Sequence, residues 1–326
     1  MRYTALLLAL LVVGLGAYLY GRYQSSSDIP TEYSSEAVSS TDDPAEDTED
    51  VSLYVEALSA VEENYVDQDA LDSKKQTYGA IEGMLASLDD DHMSFETPEE
   101  VEQNRERYSD ESPTVFWNLI PGTNVAHLRL THFYDRSAAE LEEAIGEAQE
   151  DGAERFILDL RDNRGGWVGQ AEEIAAQFLP ARRVIYVQRD ATMQEEEITV
   201  PVDEEPLNAS VVVLVNGESA SSAEILAGAL QDNDQAQVVG ETTIGAGTLL
   251  HEYPLSDSSA ILLADAEWLT PNGNIIQGAG ITPDVEVMLE EGQSPLGSDE
   301  VVGFSKEQIF AEDSQLQRAY EVLQNQ

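Results

Sequence analysis

The chain of 326 residues has no cysteine, so neither a disulfide nor a thiolate metal site can contribute to its fold or its chemistry. Positive charge is scarce: 16 Lys and Arg stand against 64 Asp and Glu, a formal net charge of −48. Such a chain repels nucleic acid and anionic membrane surfaces, which excludes nucleic-acid partners. Like charges that are unscreened at low salt also strain a compact state. Two expectations follow: adaptation to a saline milieu, or selection of cationic peptides as substrates or partners. Lysine occurs only as Lys74, Lys75 and Lys306, and histidine only as His92, His127, His132 and His251. No phosphate-binding glycine loop or metal-ligand cluster is present, and Asp89, Asp90 and Asp91 lack the spacing of an EF-hand. No cofactor is expected.

One long apolar run exists. Residues 4–20 are uncharged and lie between Arg2 and Arg22. At about 1.5 Å per residue they just reach the length needed to span a bilayer core of about 30 Å. Ala17-Tyr18-Leu19 makes a poor cleavage site, so residues 1–23 read as an uncleaved membrane anchor, with a cleaved signal sequence as the alternative. The first reading places the protein at the cell membrane, the second makes it secreted or periplasmic. Residues 24–50 are Ser, Thr, Asp and Glu with almost no apolar spacing and read as a disordered acidic tether. Over 51–110 the pattern turns helical, with Leu53, Val55, Leu58 and Val61, then Tyr78, Ile81, Met84 and Leu85, recurring mostly at spacings of three and four. Pro98 opens a third short helix.

Residues 111–326 alternate between the two periods. Strands are expected at 125–130 and 155–160 and helices at 137–150 and 168–178; 183–189 and 197–202 look like a hairpin. Further strands are expected at 211–215, 238–240, 250–255, 260–264 and 266–269, and one last helix at 306–323. Alternation with short connections predicts an α/β fold with a largely parallel central sheet and flanking helices, preceded by a small N-terminal helical subdomain.

Two turns in this core carry candidate chemistry. After the strand 211–215, the turn pair Asn216-Gly217 leads into Ser219-Ala220-Ser221-Ser222-Ala223-Glu224, and apolar residues then recur at helical spacing. A serine at such a junction sits at a helix N-terminus, where free N–H groups and the helix dipole favour a developing oxyanion. The plainer alternative is that these serines only cap the helix. Asp162-Asn163-Arg164-Gly165-Gly166 also follows a strand and precedes a helix, the place where ligands meet an open sheet. Its paired glycines allow close approach of backbone N–H groups.

LVNGESASSAEILAGALQD followed by VVGETTIGAGT resembles the signature of the S41 serine peptidases, the tail-specific or C-terminal processing peptidases. HLRLTHF, FILDLRDNRGGWVGQAEEIAAQFLP and EWLTPNGNIIQGAGITPDVEV extend the likeness in the same order. The resemblance implies a ClpP/crotonase-like core. It implies Ser221 as nucleophile and an oxyanion site at Gly165 or Gly166 with the N–H of Ser222. The chain departs from the Ser/Lys type, in which a lysine stands between two glycines and a glutamine follows; here those positions are Ala246 and Leu250. SLDDDHMSF resembles the histidine segment of the other branch, the tricorn-like and nisin-resistance-type peptidases, and implies His92 as general base. Asp91 and Gln277 match the positions of that branch's orienting residues. Only 107–124 stand where processing peptidases carry a PDZ domain, too few for a domain of about 80 to 90 residues. The resemblance thus implies a membrane-tethered, extracytoplasmic serine endopeptidase that cleaves peptides or protein tails. The alternative is a pseudopeptidase that binds peptides without cutting them.

Overall fold

The computed structural model describes residues 47–88, 93–108, 112–202, 206–298, 301 and 303–326. The chain divides into two compact units, 1–73 and 74–326. In the first, helix α1 (Asp47–Asn64) is followed by a 3-10 turn, Gln68–Ala70. The expected anchor at 1–23 lies outside the described residues. No helix among the described residues is long and apolar enough to cross a membrane. The membrane location expected from the sequence is corrected accordingly: no described element supports it.

The second unit opens with α2 (Ser73–Ala86), β1 (Ser94–Glu96) and α3 (Pro98–Tyr108). The core runs β2 (Val115–Leu119), β3 (Val125–Leu130), α4 (Ser137–Glu150), β4 (Arg155–Asp159), α5 (Val168–Phe178), β5 (Val184–Asp190), β6 (Glu195–Thr199), β7 (Ser210–Val215) and α6 (Ser222–Asp232). It ends with β8 (Ala236–Gly240), β9 (Thr248–Pro254), β10 (Ala260–Leu269), β11 (Val285–Glu286), α7 (Lys306–Glu312) and α8 (Ser314–Gln324).

The central sheet has the order β11-β8-β7-β4-β3-β2, with every pair parallel except β2 with β3. Parallel neighbours need crossovers; α4, α5 and α6 lie in three of them, and the stretch carrying β9 and β10 makes the fourth, from β8 to β11. Successive residues of the inner strands serve two cores. Phe156, Leu158, Val211 and Val213 pack with α4, α5 and α6, whereas Ile157, Val212 and Leu214 pack with α7 and α8. Burial on both faces explains why these strands read as unbroken apolar runs. Each such side chain contributes about 1.5–3 kcal/mol by leaving water.

A second, antiparallel sheet has the order β1-β10-β5-β6, with β9 also on β10. The expected hairpin is β5 with β6. Its edge strand β6 turns Glu195, Glu196 and Glu197 to solvent, and Arg189 on β5 pairs with Glu195 at 2.7 Å. The two strands expected at 260–264 and 266–269 are one strand with a bulge between Ala264 and Ala266. The bulged residue, Asp265, accepts from the Tyr253 hydroxyl and faces His251 Nδ1, each at 2.5 Å.

The single helix expected at 306–323 is broken at Asp313. Asp313 takes an extended backbone and its carboxylate caps α8 by accepting from Leu316 N at 2.8 Å. It is held there by Arg161, whose Nη2 lies 2.8 Å from Asp313 Oδ2 and 2.7 Å from Asp159 Oδ2; all three residues are buried. Burial alone would push the Asp159 carboxyl up, but Arg161 and His127 outweigh it and hold the group below the usual carboxylate range. A depressed carboxylate stabilises the fold above its unfolded pKa of about 3.9 and loses that contribution as pH falls below it. Arg161→Met should therefore cost about 3–5 kcal/mol, because it leaves two buried carboxylates without their cation. Urea unfolding at fixed salt measures this, and the loss should shrink as the pH is lowered below about 4.

Candidate active site

The C-terminal ends of β4, β7 and β8 lie side by side, and the loops leaving them meet around Ser221. Asn216 fixes the turn after β7: its side chain accepts from Asp162 N (3.0 Å) and Glu218 N (3.1 Å) and donates to Asp162 Oδ1 (2.8 Å). Ser219 Oγ donates to Leu160 O (2.8 Å) and accepts from Asn216 N (3.0 Å), joining the ends of β4 and β7. Ser222 Oγ donates to Gly166 O (2.9 Å). Two of the three serines thus serve the turn. Ser221 is half-buried at the N-cap of α6 with φ 54° and ψ −121°, a conformation that costs a non-glycine residue about 1–3 kcal/mol.

The Gly165-Gly166 turn presses against this elbow. Gly165 has φ 94°, and a Cβ on it would stand 2.8 Å from Ser221 Cβ. Gly166 has φ 143° and pairs with Phe133, whose carbonyl oxygen would lie 2.3 Å from a Cβ there. The glycines differ in what their N–H groups do. That of Gly165 donates to Asn163 Oδ1 at 2.8 Å, so it is not available to a ligand as the sequence led us to expect. The N–H groups of Gly166 and Ser222 meet no acceptor among the described residues.

On the other side, the loop from β8 to β9 carries Gly245-Ala246-Gly247. Glu224, on the first turn of α6, is fully buried and accepts from Ser221 N (2.8 Å), Ala246 N (2.9 Å), Gly245 N (2.7 Å) and the Thr243 hydroxyl (2.5 Å). Ala246 O accepts from Trp268 Nε1 at 3.0 Å. Gln277 Oε1 accepts from Gly247 N at 2.7 Å, and a Cβ on Gly247 would lie 2.2 Å from Gln277 N. The Gln277 carbonyl therefore serves this loop, which leaves only its amide N–H groups to orient anything else. Leu250, at the position of the expected glutamine, is exposed on β9.

His92 and Asp91 lie outside the described residues. His127 is buried with Nε2 2.9 Å from Asp159 Oδ2, under α8 in the Arg161 cluster. His132 stacks on Tyr134 at 5.0 Å, and burial lowers its pKa. His251 is taken by Asp265. Lys74 lies over the Tyr78 ring and Lys306 over that of Tyr320. Among the described residues no three His, Asp or Glu converge as a metal site. Sequence reading missed the span of Glu224. The signal for it was present, since a glutamate three residues after a capping serine is the reciprocal partner of a capping box.

Gly165→Ala should destabilise the protein by about 1–3 kcal/mol through overpacking alone, before its backbone strain is added. Gly169→Ala is the control: a Cβ there meets nothing within 4 Å in the first turn of α5, so it should be neutral or stabilise by up to about 1 kcal/mol. Urea midpoints of the two variants provide the comparison.

Residues 124–287 match Peptidase family S41. A carboxyl-terminal-processing protease of Synechocystis sp. is 40% identical over 165 residues, which are 50% of this chain and 38% of that protein. The photosystem II D1 C-terminal processing protease aligns with a TM-score of 0.57 at 21% identity, over 72% of this chain and 92% of that one. A lipoprotein from Streptococcus agalactiae aligns with a TM-score of 0.56 at 16% identity, over 68% and 80%. At these identities the two structures share the fold. The chain spans less than half the length of the curated relatives it matches. The matched residues cover half of the sequence and contain the serine elbow, the paired glycines and the loop around Ala246, so the chain belongs to peptidase family S41, whose members are serine-type hydrolases.

Proposed function

We propose that this chain is a serine endopeptidase that hydrolyses peptide bonds in peptides or in the C-terminal tails of proteins. The observation that carries this reading is Ser221 itself, held at the N-terminus of α6 beside two backbone N–H groups that meet no acceptor among the described residues. In this mechanism Ser221 Oγ attacks the scissile carbonyl carbon while His92 takes the hydroxyl proton. The carbonyl π electrons move onto oxygen, which the N–H groups of Gly166 and Ser222 receive. Collapse of the adduct expels the amine, which leaves with the proton returned by His92. Water then repeats the sequence on the acyl-enzyme and frees Ser221. Asp91, next to His92 in sequence, is the candidate to orient the ring. Tails as substrates are supported by the name of the Synechocystis relative, a carboxyl-terminal-processing protease.

A second reading rests on Ala246. The loop keeps its backbone bonds to Glu224 and Trp268, yet its side chain offers no base. A pseudopeptidase that grips peptides without turnover would have this form.

A fluorophosphonate that labels active serines separates the two. The wild type should be labelled and Ser221→Ala should not; His92→Ala should slow labelling by at least about 100-fold, the usual contribution of a general base. Equal labelling of all three proteins would remove the peptidase reading. The charge of −48 supports adaptation to a saline milieu. The melting temperature should therefore rise between about 0.1 M and 1 M NaCl, as the Debye length falls from about 10 to about 3 Å; a flat response would count against that adaptation.

A further inference from the structure

Glu224 is a buried carboxylate that bonds four hydrogen-bond donors and, among the described residues, no cation. Three of the donors are backbone N–H groups. The fourth is the Thr243 hydroxyl, whose oxygen also accepts from Ile281 N at 2.7 Å. The two oxygens divide the work. Oε1 holds Thr243 and Gly245, within one loop. Oε2 holds Ser221 N and Ala246 N, so a single atom joins the serine elbow to the neighbouring loop. Ser221 keeps a positive φ that serine otherwise avoids, and its own N–H is one of the groups pinned.

We infer that Glu224 is a positioning residue: through Oε2 it fixes the backbone of Ser221, and with it the direction of Oγ, relative to the 243–247 loop. It touches no substrate. The inference rests on Ser221 as the nucleophile for its effect on rate, but not for its effect on the backbone. Without the shared oxygen, the Ser221 peptide relaxes from its strained conformation and the two loops move independently.

Glu224→Gln tests this in the full chain. The amide has the same shape but replaces one acceptor by an NH2 group, so whichever way it turns one pair of donors faces a donor. Thr243→Val is the control, because it removes a donor from Oε1 and leaves the Oε2 pair intact. The rate of Ser221 labelling by a fluorophosphonate should fall about 10- to 100-fold in Glu224→Gln, the scale of a small misplacement of a reacting atom. In Thr243→Val it should stay within about threefold even where the melting temperature drops as far; for a peptide substrate, KM should be unchanged in both. Hydrogen exchange supplies a readout that needs no activity. Peptides covering 219–224 and 243–247 should exchange faster together in Glu224→Gln, and only the second should do so in Thr243→Val. If Glu224→Gln does not fold, Glu224→Asp keeps the charge one methylene short and should give the same joint exchange. Wild-type exchange at 219–224 in the Glu224 variant, or rate losses that follow melting temperature equally in both variants, would overturn the inference. Labelling that persists in Ser221→Ala would instead overturn the choice of nucleophile and leave the exchange result standing.

Discussion

The buried guanidinium of Arg161 is the contact on which the arrangement of loops depends. Its Nε and Nη2 reach Asp159, and its Nη1 reaches Asp313 (3.0 Å) and Gln315 (3.2 Å). Gln315 in turn donates to Glu241, the first residue after β8, and to Val287 O. One network therefore braces the exit of β4, which leads to the paired glycines, and the exit of β8, which leads to Ala246. Burying these charges is costly, and the stability gained over an apolar core of equal volume is small. What the network specifies is a single arrangement, because Arg161 finds its full set of acceptors only when α8 is seated on the sheet.

Between those braced exits stands the elbow after β7. It is built from close backbone approach on one side, at Gly165, and from a shared carboxylate on the other, at Glu224. Ser219 and Asn216 lock the turn itself, so the strain at Ser221 is held between the packing at Gly165 and these hydrogen bonds. This is how a parallel sheet presents an otherwise unfavourable conformation at its C-terminal edge.

Much of this was legible in the sequence for local reasons. The helices at 137–150 and 168–178 carry their own apolar period, and the inner strands, buried on both faces, stand out as short unbroken apolar runs bounded by turn residues. The errors came from tertiary contacts. The last helix breaks at Asp313 because Arg161, distant in sequence, holds the carboxylate that caps α8. The strand at 260–269 stays whole because a bulge turns Asp265 toward His251 and Tyr253. The N–H of Gly165 was assigned to an oxyanion from its place beside Gly166, yet the side chain of Asn163 claims it, and no spacing rule distinguishes the two glycines. The serine elbow was legible through its residue types. The spacing of Ser221 and Glu224 is that of a capping box, a signal the sequence reading did not use, and the bonds of Glu224 to residues 243–246 are a property of the folded chain.

The row of three carboxylates on β6 governs what the antiparallel sheet can join. A terminal strand offers unpaired backbone groups to any passing segment, and self-recruitment by that route leads to aggregates. Here an identical strand arriving in register would bring Glu195, Glu196 and Glu197 against their own copies, and among the described residues only Glu195 of the three has a counterion, Arg189. The barrier is electrostatic, so concentrated electrolyte, which eases crowding of charge elsewhere on the surface, weakens it. Under such conditions the shortness of a five-residue strand becomes the remaining guard against lateral stacking.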